Sequence, residues 1–79
     1  MATRAYILVE TEVGRTREVA AAMRQLKGMV AVDALTGPYD IIALFEGPDL
    51  TSVGEMVTTH IHALGGITRT TTCLAIDLG

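Results

Sequence analysis

The residues with the clearest chemical use lie in a turn at residues 36–40, formed by Thr36, Gly37, Pro38, Tyr39 and Asp40. Glycine lets the backbone approach a ligand or adopt a positive φ, and proline fixes the turn. Such a turn can offer backbone N–H groups to an α-carboxylate while the acidic side chain binds an α-ammonium group, as an amino acid requires. The same residues also form ordinary turns in which the aspartate bonds only local backbone. The pattern leaves both interpretations open.

Patterns for metal binding or catalysis are weak. His60 and His62 stand two residues apart, and on a helix such side chains point about 200° apart and cannot share a metal. Ser52 is the only serine, and no spacing pairs it with a base. No acid–base pair is marked among the carboxylates near the predicted strand ends, which are Glu10, Glu12, Asp40 and Glu46. We therefore expect no metal, no cofactor and no enzymatic activity.

Composition limits the partners of the chain. Of its 79 residues 49% are hydrophobic, yet no apolar run approaches the ~20 residues of a membrane span, so the excess must be buried in protein contacts. The net charge is −3, with scattered basic residues and few aromatic rings, so direct binding of nucleic acid is not expected. Cys73, the single cysteine, lies in an apolar alternating stretch and is expected to be a buried structural thiol. No signal peptide opens the chain, and a cytoplasmic location is the expectation.

Hydrophobic periodicity predicts the element order β-α-β-β-α-β in one domain spanning residues 1–79. The predicted strands are residues 4–10, 29–36, 40–46 and 67–77, and the predicted helices are residues 16–27 and 50–64. Thr16 and Asp49 are the expected N-caps of the two helices, and Gly28 is the residue expected just beyond the first.

Strand composition predicts the arrangement of the sheet. The first and third strands are continuously apolar, whereas the second and fourth carry Asp33, Arg69 and a row of threonines. This distribution favours the ferredoxin-like α+β fold, a four-stranded antiparallel sheet of order 4-1-3-2 with both helices on one face. In the second strand, Val30, Val32 and Ala34 are expected to share a face.

The face of the sheet opposite the helices is predicted to be apolar as well. In the first strand Ala5, Ile7 and Val9 alternate with Tyr6 and Leu8, and neither set belongs in water. Burying about 500 Å² of the second face would contribute roughly 12 kcal/mol before the costs of association. A face-to-face homodimer is therefore expected.

Segments along the whole chain resemble the effector-binding (RAM) domain of the Lrp/AsnC, or feast/famine, transcriptional regulators. They are AYILVET at residues 5–11, TGPYDIIALFE at residues 36–46 and HIHALGGITRTTTCLAI at residues 60–76. The combination of the T-G-x-Y-D turn with the G-x-x-x-T-x-T strand is fairly specific to that family.

The resemblance implies a ferredoxin-like fold that dimerises through its sheets, rings commonly of eight subunits, and an amino-acid effector bound between dimers. In the turn motif, the ligand-binding residues it implies are Gly37, Pro38, Tyr39 and Asp40. In the strand that lines the site from a neighbouring subunit, they are Thr70, Thr71 and Thr72.

Full-length members of that family begin with a helix-turn-helix DNA-binding domain, whereas this chain opens with the first strand of the effector domain. We therefore expect a stand-alone member that senses an amino acid and signals to a partner, or that co-assembles with full-length regulators. Two alternatives remain: a structural assembly subunit without ligand response, and a small ferredoxin-like enzyme.

Overall fold

The computed structural model describes residues 2–79 and has the predicted order β-α-β-β-α-β. Its elements are β1 (Thr3–Thr11), α1 (Thr16–Arg24), β2 (Met29–Ala34), β3 (Ile41–Gly47), α2 (Leu50–Glu55), a π-helical segment (Met56–Ile61) that continues α2, and β4 (Ile67–Leu74). The strands form one antiparallel sheet of order β2-β3-β1-β4. The ferredoxin-like prediction and its strand order are confirmed.

The core lies between the sheet and the two helices. From the central strands it takes alternate residues, since successive side chains of a strand point to opposite faces. These are Ala5, Ile7 and Val9 from β1 and Ile41, Ala43 and Phe45 from β3. The helical side supplies Val19, Ala20, Met23, Val53, Met56 and Ile61. The apolar middle strands therefore occupy the centre of the sheet, as their composition predicts.

Helix α1 differs from its prediction at both ends. Arg15, not Thr16, is the N-cap, and it makes no side-chain capping bond. The Thr16 hydroxyl is instead 2.7 Å from the Thr11 hydroxyl of β1, which explains why it is not available as a cap. The helix ends at Arg24, three residues before the predicted end, and Gly28 follows with a φ of +91°.

Strand β2 is shorter than predicted and irregular. It ends at Ala34, and a register shift between Met29 and Ala31 interrupts its pairing with β3. Such a bulge breaks the simple alternation of faces. Val32 is buried but Val30 is 56% exposed, so the prediction that the two share a face is wrong.

Helix α2 begins with the predicted cap. The Asp49 carboxylate accepts a hydrogen bond from the Ser52 backbone N–H at 2.8 Å, and the Ser52 hydroxyl receives the Asp49 N–H in return. From Met56 the helix widens into π-helical geometry, and the His62 N–H donates to the Val57 carbonyl five residues back. This spacing lets Met56 and Ile61 both reach the core.

The cap makes a prediction for stability. Replacing Asp49 with alanine leaves the first N–H groups of α2 without their acceptor and is expected to lower the free energy of unfolding by about 1 kcal/mol. Asp49→Ser keeps a capping oxygen and should retain most of that stability. Urea denaturation followed by circular dichroism measures both, and an equal loss in the two variants would contradict the capping role.

Candidate functional site

The candidate site lies at the end of the sheet where β1 stops and β3 begins. Asp40, just before β3, is half-buried. Its Oδ2 accepts hydrogen bonds from the Thr11 backbone N–H at 2.8 Å and from the Thr11 hydroxyl at 3.3 Å. Its own N–H donates to the Val9 carbonyl. The 36–40 turn is thereby fixed to the neighbouring strand rather than only to itself.

Asp40 retains capacity for a further partner. Its second oxygen, Oδ1, makes no hydrogen bond within residues 2–79, where every bond to the carboxylate is to Oδ2. An ionised carboxylate can accept about four hydrogen bonds. The geometry therefore permits both interpretations of the turn, because one oxygen stabilises the fold and the other is free to accept.

The backbone of the 36–40 turn is open. The Leu35 N–H donates to the Asp40 carbonyl at 2.8 Å and closes the turn. Between them, the N–H groups of Thr36, Gly37 and Tyr39 have no acceptor among the residues that the structure describes. Gly37 has a φ of +132°, which other residues rarely adopt, so glycine is required by the shape of this turn. These donors, together with Asp40, form a polar rim that is exposed or half-buried.

The three threonines of β4 do not share a surface. Thr70 pairs with Val9 and Thr72 with Ile7, so both lie on the helix side of the sheet. Thr71 pairs with Leu8 and lies on the other side. Within one chain, therefore, only Thr70 combines the helix side with the end of the sheet near Asp40.

Thr70 belongs to a small cavity of about 190 Å³ at this end of the sheet. His62 lines the same cavity, and its Nε2 is 3.4 Å from the Thr70 hydroxyl. The cavity is on the far side of β1 from the 36–40 turn, and strands two positions apart in a sheet are about 10 Å from each other. One small ligand cannot easily contact both groups in a single chain.

Sequence reasoning missed Thr11 and His62. Thr11 carries no motif, and its role depends on the register that sets the end of β1 beside the start of β3. His62 was considered only as a metal ligand with His60. Within residues 2–79 no group of three or more His, Cys, Asp or Glu side chains could hold a metal.

Arg15 forms two ion pairs at the loop between β1 and α1. Its guanidinium donates to Glu18 at 2.7 Å and to Glu12 at 2.9 Å. It also lies against Gly66, where an added Cβ would be 3.1 Å from Nε. The hydrogen bonds to Glu18 and Glu12 raise the pKa of Arg15, and the bond from Arg15 lowers the pKa of Glu18.

The ion pair between Arg15 and Glu18 determines how the contribution of Glu18 to stability changes with pH. A lowered folded-state pKa means that Glu18 stabilises the fold above its unfolded pKa, and that this small contribution is lost as the pH falls through the folded value. In Arg15→Gln the pKa of Glu18 should return towards its ordinary value. Carboxyl ¹³C NMR titration measures it, and an unchanged Glu18 titration in the variant would contradict the assignment.

The second face of the sheet is open in the single chain. Tyr6 is 38% exposed, Leu8, Ile42 and Leu44 are half-buried, and an Arg4–Glu46 ion pair of 3.4 Å lies at one end. We call Tyr6, Leu8, Ile42 and Leu44 the open sheet face. Cys73 pairs with Tyr6 on this side, at the sheet edge.

The prediction that Cys73 is buried is wrong for the single chain, since its thiol is exposed. The cause is its position on an edge strand, facing away from the helices. Alternating apolar residues indicate a strand but do not show which of its faces is covered.

Comparisons with known proteins agree with this architecture. The family model for the Lrp/AsnC ligand binding domain matches residues 4–77, and the chain belongs to this family. Among solved structures, TTHA0845 from Thermus thermophilus is 32% identical with a TM-score of 0.91, and the match covers 95% of this chain and 94% of that one. No curated protein matches at a significant level.

Two more distant structures share the fold. AsnC of E. coli is 14% identical with a TM-score of 0.89, over 95% of this chain and 51% of that chain. A transcriptional regulator from Neisseria meningitidis, solved as a complex with L-Met, is 20% identical with a TM-score of 0.85, over 96% of this chain and 51% of that chain. This chain therefore spans about half the length of these regulators. No helix in residues 2–79 is long and apolar enough to cross a membrane.

Proposed function

We propose that this chain is a regulatory domain that binds an amino acid and modulates transcription indirectly, without chemistry of its own. One observation carries the proposal. The 36–40 turn combines free backbone N–H groups at Thr36, Gly37 and Tyr39 with an unpaired Asp40 oxygen. Membership of a ligand-binding domain family supports the regulatory role over an enzymatic one.

The chemistry of the turn suits the constant part of an amino acid. Backbone N–H groups that converge in a turn bind a carboxylate, and a carboxylate oxygen accepts from an ammonium group with a charge-assisted bond. Asp40 is already oriented for this by its two bonds to Thr11. The L-Met complex of the Neisseria regulator supports the view that this fold can take an amino acid.

The open sheet face supports a homodimer. Its apolar side chains are flanked by charges, with Arg4 and Glu46 at one end and Glu10 opposite Arg69 at the other. A two-fold axis between two such faces would bury the apolar residues and set charges of both signs at the rim. We further propose that these dimers assemble into a larger ring, of which an octamer is the expected size.

A site between subunits would account for the separation of the 36–40 turn from Thr70 within one chain. The 36–40 turn of one subunit would face Thr70 of a neighbour, with Thr72 on the same side of β4. Thr71 lies on the opposite side and would contact ligand only if the neighbour presented that face. In this arrangement each ligand would contact two subunits, so ligand binding would be coupled to their association.

Indirect regulation requires a partner. We propose that ligand binding alters the ring and that the chain co-assembles with full-length Lrp/AsnC regulators or signals to another protein. The sharing of this domain with longer regulators, including AsnC, supports such mixed assemblies.

A second candidate is a structural assembly subunit whose ligand site is no longer used. The bonds from Thr11 to Asp40 favour it, because they give the carboxylate a purely structural task. The two candidates predict the same oligomer and differ only in ligand response.

A thermal-shift screen against the twenty amino acids separates the candidates. A ligand at about 100 times its Kd adds roughly 2.7 kcal/mol of stability, or several degrees in Tm. Asp40→Asn keeps an acceptor for the Thr11 N–H but removes the charge that an ammonium needs, so the shift should disappear. Asp77→Asn, the same charge change beyond β4, is the matched control. No shift with any amino acid would favour the assembly subunit.

A further inference from the structure

A second cavity lies at the opposite end of the sheet from Asp40. It has a volume of about 370 Å³ and opens between the end of α1, the end of β3 and α2. Gly47, on its wall, pairs with Thr3 at the start of β1, whereas Asp40 bonds Thr11 at the end of that strand. A strand of nine residues separates these ends by about 27 Å. The cavity is therefore distinct from the site at the 36–40 turn.

The floor of this cavity is apolar and fixed. The Phe45 ring is held between two glycines: an added Cβ at Gly28 would be 2.5 Å from its Cε1, and one at Gly47 would be 2.8 Å from its Cε2. Leu26 and Met56 complete the apolar lining. Phe45 and Met56 are only 4% and 5% exposed, so the floor is already formed without a ligand.

The rim carries polar side chains that the fold does not use. Lys27, Glu55 and His60 line the opening and are exposed, and none of their side chains makes a hydrogen bond or ion pair within residues 2–79. By contrast, Glu46 is paired with Arg4 and the Ser52 hydroxyl is bonded to Asp49. The opening thus presents a cation and an anion, both without a partner.

We propose that this cavity binds a small zwitterion with an apolar body. Cavities of 300–1,000 Å³ with apolar walls and a few polar groups are typical of small-molecule sites. The apolar body would pack mainly on Leu26 and over the small exposed parts of Phe45 and Met56. Lys27 would pair with the acidic group of the ligand and Glu55 with its basic group. This inference is independent of the function proposed for the 36–40 turn.

Amide NMR with L-phenylalanine and two analogues tests the proposal. Phenethylamine lacks the carboxylate and 3-phenylpropanoate lacks the ammonium. L-Phenylalanine should shift the Gly28 and Gly47 amide resonances saturably, and each analogue should bind about three- to fivefold more weakly, since an exposed ion pair contributes up to ~1 kcal/mol. Gly37 reports separately on the other site.

Substitutions of two exposed residues test which side chain pairs with each charged group of the ligand. Lys27→Ala should remove the preference for L-phenylalanine over phenethylamine, and Glu55→Gln should remove its preference over 3-phenylpropanoate. Arg17→Gln, an exposed change on α1, is the control and should change neither preference. The proposal is wrong if Gly28 and Gly47 do not respond at about 10 mM ligand, a limit corresponding to only ~3 kcal/mol of binding. It is also wrong if all three compounds bind alike, or if only Gly37 responds, and in that last case the function proposed for the turn stands.

Discussion

Replacing Gly28 with alanine is expected to lower the free energy of unfolding by about 3 kcal/mol and the Tm by more than ~10 °C. Two effects combine at this position. Its φ of +91° is strained for any residue with a side chain, and the new Cβ would lie 2.5 Å from the Phe45 ring and 3.0 Å from the Glu46 carbonyl oxygen. Phe45 is buried in the core and has Gly47 on its other side, so it cannot easily move. Chemical denaturation measures the loss.

Gly54→Ala is the matched control for this prediction. Gly54 lies inside α2, and among the residues that the structure describes no atom beyond its chain neighbours and its own helix backbone lies within 4 Å of an added Cβ. Alanine should therefore raise stability by up to about 1 kcal/mol through its better helix propensity. Equal losses in the two variants would contradict the account of Gly28. A loss at Gly54 alone would mean that another chain packs closely there.

Leu8→Lys is expected to weaken the proposed homodimer at least about 100-fold. Leu8 lies on the central strand of the open sheet face, between Ile42 and Thr71. Each dimer would lose two buried leucines at about 1.5–3 kcal/mol each, and every 1.4 kcal/mol is a factor of ten in Kd. The monomer should remain folded, because the core lies on the other side of the sheet. Sedimentation velocity over a dilution series measures the change.

Ala21→Lys serves as the control for charge alone. Ala21 is exposed on α1, on the opposite side of the molecule from the open sheet face. This variant should sediment like the wild type. Unchanged association of the Leu8→Lys protein would contradict the proposed interface and would mean that the chains associate through another surface.

The fold was predictable because its strands differ in composition. The continuous apolar runs of β1 and β3 require two covered faces, and they do occupy the centre of the sheet. Boundaries were less predictable. The hydroxyl of Thr16 matches an N-cap in sequence, but a tertiary contact with Thr11 takes it instead. The bulge that exposes Val30 has no local signal either, since it depends on pairing with β3.

The π-helical segment could not be predicted from a hydrophobic pattern that assumes 3.6 residues per turn. Val53, Met56 and Ile61 are buried at spacings of three and five, and the step of five fits a wider helix. Both Met56 and Val57 were compatible with the apolar pattern. Only the packed structure shows that Met56 enters the core while Val57 is half-buried.

The candidate site was predictable in part. The composition of the 36–40 turn indicates an open backbone and an available carboxylate, and the structure contains both. The grouping of Thr70, Thr71 and Thr72 was a weaker inference, because consecutive strand residues alternate in direction. The proposed meeting of the turn of one subunit with the strand of another depends on assembly, which local sequence does not encode.

The most direct test of the central claim is isothermal titration calorimetry with the amino acid that gives the largest thermal shift. We predict saturable binding with one ligand per chain, because each chain contributes one 36–40 turn to the proposed sites. Asp40→Asn should abolish the binding, and Asp77→Asn should retain it. The absence of saturable binding for all twenty amino acids, or full affinity in Asp40→Asn, would contradict the account.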